Sequence, residues 1–92
     1  MTPEARLGWA LADAASTCFT EADHISVYTA LGAGEAYSAI VLTLTIAVRA
    51  RQSLPAKLVT ELTTWLDGYA GHTHEQGIRA LLKACATRPG SQ

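Results

Sequence analysis

The sequence predicts an all-α fold, a compact bundle of four main helices and one short helix, with the helix at residues 35–52 in the centre. Three observations carry this reading. Apolar residues recur at i, i+3 and i+4 along most of the chain. Cap and turn residues separate those stretches. The most apolar run is also too long, between clear start and stop signals, for an ordinary strand.

Helix 1 opens at Thr2-Pro3-Glu4. Thr2 caps it, Pro3 takes the first helical position, where an N–H has no partner anyway, and Glu4 faces the positive end of the helix dipole. Leu7, Leu11, Ala14 and Cys18 share one face, and the small residues Gly8, Ala12 and Ala15 beside it let a second backbone come close. The spacing predicts this helix over residues 3–19. Asp23 is expected to cap a short second helix with Val27, Tyr28 and Leu31 toward the core. Gly32-Ala33-Gly34 then closes it, since glycine readily takes the left-handed conformation that ends a helix.

Glu35 opens helix 3, which is expected to reach Gln52. Tyr37, Ile40, Val41, Leu42, Leu44, Ile46 and Val48 leave it almost no polar face, and a helix apolar all round is expected to be buried all round. Ser53-Leu54-Pro55 starts helix 4, whose Leu54, Leu58, Leu62 and Leu66 form an i+4 stripe widened by Trp65 and Tyr69. Thr73-His74-Glu75-Gln76 reads as a capping box for helix 5, which buries Ile78, Leu81, Leu82 and Cys85. Residues 86–92 read as a frayed tail, and residues 1–92 as one helical domain.

Composition excludes several classes of function. Hydrophobic residues make up 49% of the chain and charged ones only 16%, against about 25% charged in ordinary domains. So little polar cover points to a surface buried against another molecule. A net charge of −1 and a pI near 6.2 disfavour nucleic acid, which is met with clustered lysine and arginine. They disfavour an anionic membrane surface as well. No apolar run reaches the ~20 residues that span a bilayer. Glu4 and Asp13 interrupt any signal-peptide core, and Cys18 and Cys85 lack the spacing of a zinc or redox pair, so a cytoplasmic protein is expected. The absence of asparagine, the abundance of alanine and the excess of arginine over lysine fit a GC-rich bacterial or phage genome.

Four constellations invite a chemical reading. Ala30, Gly34 and Ile40 sit at the offsets of a helix-turn-helix within residues 26–45. Its second helix would offer Ala36, Tyr37, Ser38, Val41 and Leu42 to base edges, two of them large aliphatics and none charged, so an ordinary helix corner is preferred. Arg49, Arg51 and Lys57 form a basic cluster that could hold a phosphate or an acidic partner, although cations near a helix C-terminus also offset its dipole. His72, His74, His24 and Glu75 give a weak hint of metal, but an i, i+2 pair in a turn is poor ligand spacing. No metal and no cofactor are expected, and no nucleophile motif or phosphate loop is present, so the chain does not read as an enzyme.

Trp9 stands across helix 1 from Leu7, among Arg6, Asp13 and Ser16. It is either folded over a neighbouring element or exposed as a binding anchor, a role in which tryptophan is enriched. The function expected is therefore that of a small helical protein–protein interaction module: an adaptor, inhibitor or regulatory subunit; the alternative is a helix-turn-helix-like nucleic-acid-binding regulator using residues 26–45. The module's contact would use Trp9 with Gly8, Ala12 and Ala15, and its partner is another protein or, in a homodimer, a second copy.

Overall fold

Thr2 begins the first helix as its spacing predicts: its side chain accepts a hydrogen bond from the Ala5 N–H at 3.0 Å, ahead of Pro3 and Glu4. In the computed structural model, which describes residues 2–86, five α-helices follow in order. They are α1 (Pro3–Ala15), α2 (Glu21–Gly32), α3 (Ala36–Arg49), α4 (Ala56–Asp67) and α5 (Glu75–Ala86), with a 3-10 turn at Ser16–Cys18 after α1. Among the described residues there is no strand. The tail expected at 86–92 lies, from residue 87 on, outside the described residues.

Several boundaries differ from the sequence expectation for local reasons. Helix 1 stops at Ala15 because its last turn tightens, the Phe19 N–H closing on the Ser16 carbonyl at 3.1 Å. The second helix is no shorter than the fourth or fifth, at 12 residues each. Thr20, not Asp23, is its N-cap, and the two residues form a reciprocal capping box that starts the helix nearly a turn earlier. The fifth helix starts at Glu75, so the N-cap position falls to His74 rather than Thr73, and the His74 N–H is taken by His72 Nδ1 at 3.3 Å.

Two helix ends close in the same way. The Gly34 and Glu35 N–H groups bond back to Leu31 and Ala30, with Gly34 at φ +83°. Likewise the Arg51 and Gln52 N–H groups bond to Val48 and Ala47. This left-handed closure satisfies the last carbonyls of a helix. At the second site a non-glycine residue, Arg51 (φ +58°), takes the left-handed position.

The third helix is central, making its main contacts with α1, α2 and α5, while α4 lies against α5 and α1. Its inner side divides the core in two. Ile40, Leu44 and Ala47 pack with Leu11, the full leucine stripe of helix 4, Ile78, Leu82 and Cys85. Ala39 and Ile46 pack instead with Ala12, Val27 and Leu31. The expectation of burial all round is corrected, however. Ser38, Thr45 and Arg49 are exposed, and Val41 and Leu42 beside them are only half-buried, because α2 and α5 flank this side without closing it.

Candidate interaction groove

The open side of α3 forms one wall of a groove of about 760 Å³, and the start of α5 forms the other. Val41, Leu42, Ile78 and Leu81 give it an aliphatic lining, with Tyr37 at one end; Ser38, Thr45, Thr73 and His74 give it polar edges; Gly77 leaves a gap in the α5 wall. A β-carbon added at Gly77 would meet nothing within 4 Å. The Thr45 hydroxyl already donates to the Val41 carbonyl at 2.8 Å, so it can be covered without stranding a polar group. No groove residue carries a carboxylate, an ammonium or a guanidinium.

One end of the groove is held by an aromatic cluster. The Tyr37 ring lies 5.8 Å from Trp65, 5.3 Å from Tyr69 and 6.1 Å from His72, centroid to centroid, within the range of favourable aromatic pairs. Glu4 anchors that cluster from α1. Its Oε2 accepts from Trp65 Nε1 at 3.2 Å and from the Tyr69 hydroxyl at 2.8 Å. Donation to that carboxylate, helped by burial and the nearby negative charge, pushes the Tyr69 phenol up to about 12. The turn into α5 is tied down by Arg79, which donates to Glu75 at 2.6 Å and to Asp67 at 3.3 Å, joining α4 to α5. Both contacts raise the affinity of Arg79 for its proton, Glu75 most.

The residues singled out in the sequence are dispersed. Gly8, Ala12 and Ala15 face inward, not outward: all three are buried within the chain, and the Gly8 position faces Leu31, Ile40 and Ala36. The close approach they permit is that of α1 to α2 and α3, which leaves no small-residue arc for an external contact. Trp9 is half-buried with its ring 5.7 Å from Tyr28, in a second aromatic group with Phe19 and His24. There the Tyr28 hydroxyl donates to Asp13 at 3.1 Å, and burial, with that bond second, raises its pKa.

Arg49, Arg51 and Lys57 are all exposed around the α3–α4 junction. His72 and His74 are neighbours, 5.8 Å apart, but His24 belongs to the other aromatic group. Among the described residues no three histidine, cysteine or acidic side chains gather as a metal would need. Neither cysteine is in a disulfide, and burial raises the Cys18 thiol pKa, making it a poor nucleophile. In the helix-turn-helix segment, Gly34 does form the turn and Ile40 is core. But Ala36 is buried and Tyr37 is committed to the aromatic cluster, which leaves Ser38, Val41 and Leu42 outward.

Sequence reasoning missed the groove and the Glu4 anchor. A signal for the groove was present: Ser38, Thr45 and Arg49 fall on one arc of an otherwise apolar helix. The anchor joins residues more than sixty positions apart, and no local pattern announces it. The chain matches no family model, and no curated protein and no solved structure matches it significantly.

Proposed function

We propose that the chain is a protein–protein interaction module that receives its partner in the groove between α3 and α5. The observation that supports this reading is the aliphatic, uncharged lining of an open channel about 760 Å³ in volume. A channel between two helices suits the apolar stripe of a third, with anchors at helical spacing. Its walls are preorganised: Tyr37 is locked by three aromatic rings, and α5 is tied to α4 through Arg79. An adaptor, inhibitor or regulatory subunit of the cytoplasm is the kind of protein that works in this way. There, thiols such as Cys18 stay reduced. No chain helix among the described residues is long and apolar enough to cross a membrane.

A photo-reactive side chain introduced at Gly77 tests this directly, with Thr64 on the exposed side of α4 as the control position. In cells producing the chain, irradiation should give a covalent protein adduct from Gly77 and none from Thr64. Equal labelling at both positions, or none at Gly77, would contradict the groove as the docking face.

A further inference from the structure

We infer that the partner in this groove is a second copy of the chain, with the two α3 helices antiparallel about a two-fold axis and Glu35 of each opposite Arg49 of the other. This inference rests on the groove being the docking face and names its occupant. Its basis is the pattern along the outward stripe of α3. Glu35, Ser38, Leu42, Thr45 and Arg49 follow one another at alternating steps of three and four residues, the spacing of a seam between two packed helices. Between the two end residues α3 carries no charge at all.

The ends carry opposite charges. Glu35 stands at the N-terminal end and Arg49 at the C-terminal end; both are exposed, and among the described residues neither has an ion-pair partner. Leu42 lies midway, seven residues from each. In a two-fold pair the residue on the axis meets its own copy, so it must be uncharged, and every other residue meets its counterpart at the mirrored distance. With Leu42 on the axis, an antiparallel arrangement sets each Glu35 against an Arg49 and makes two opposite-charge contacts. The parallel arrangement would instead set Glu35 against Glu35 and Arg49 against Arg49.

The surroundings fit a close approach. Ser38 and Thr45, on either side of Leu42, are small, and Gly77 opens the facing wall. On the α2 side, Ile25 (62% exposed), Ala30 and Ala33 line a shallow depression that ends at Glu35, one turn from Ser38. Rim charges in such an interface fix orientation and exclude the wrong register more than they add affinity.

A charge exchange provides the test. In sedimentation at tens of micromolar, the parent chain should run as a dimer. Glu35→Arg and Arg49→Glu should each weaken association by about tenfold or more, since each creates two like-charge contacts. The double variant Glu35→Arg/Arg49→Glu should regain the parent's dimer. Both side chains are exposed, so the helical circular dichroism of all three variants should match the parent; Gly77→Phe, which fills open space, should block pairing independently. A monomeric parent would overturn the proposal, as would a dimer indifferent to either single exchange or a double variant no better than the singles. The photo-adduct at Gly77 separates the two readings. An adduct with a foreign protein would keep the groove and remove self-pairing, whereas no adduct would remove both.

Discussion

Thr43 is a costly placement in the core. It is 1% exposed, and its hydroxyl has no hydrogen-bond partner. A buried hydroxyl that has given up water without replacing it costs about 1–3 kcal/mol. Thr43→Val keeps the branched shape while removing that group, so it should raise stability by about 1 kcal/mol. Equilibrium denaturation reads this as a higher midpoint at unchanged slope; a lower midpoint would mean that the hydroxyl is satisfied in solution. Thr45, two positions on, bonds its own helix and faces outward, so one residue type serves both sides of α3 by different means.

Among elements, the contact of α1 with α4 depends on Glu4 and has a signature at high pH. In the folded chain Tyr69 holds its proton until about pH 12, against an ordinary value of 10.0. Once the chain unfolds, the phenol titrates near the ordinary value. The unfolded state therefore loses the proton first, and the contribution to stability, complete below pH 10, is lost as the pH rises toward 12. Glu4→Gln keeps a carbonyl acceptor and removes the charge. Ultraviolet titration should then show Tyr69 ionising closer to 10, with a shallower loss of stability above that pH; an unchanged titration would contradict the Glu4 anchor. The elements themselves were largely legible, because caps and i+4 stripes are local signals: Thr2, Gly34, the three leucines of α4 and Leu54 just ahead of it lie where the pattern puts them. The site was not. Whether Ser38, Val41 and Leu42 face a neighbour or a groove depends on where α2 and α5 come to rest. The small residues of α1 could not reveal from spacing alone whether they admit a helix of the same chain or of another.

For the whole molecule, the relevant comparison is between surface and charge. The accessible surface is 5424 Å², near the roughly 5,100 Å² that surface scaling gives for this mass. A surface of ordinary size is thus covered by a chain only 16% charged. That shortage is concentrated on the outward side of α3 and its groove with α5, where no charge lies between Glu35 and Arg49. In the proposed pairing, a second copy covers this side. Amide hydrogen exchange of the chain alone, followed as it is diluted from the dimeric to the monomeric range, tests it most directly. Residues 38–45 and 77–81 should lose protection on dilution while the outer face of α4 stays unchanged; exchange in those two segments that is the same at every concentration would contradict the pairing.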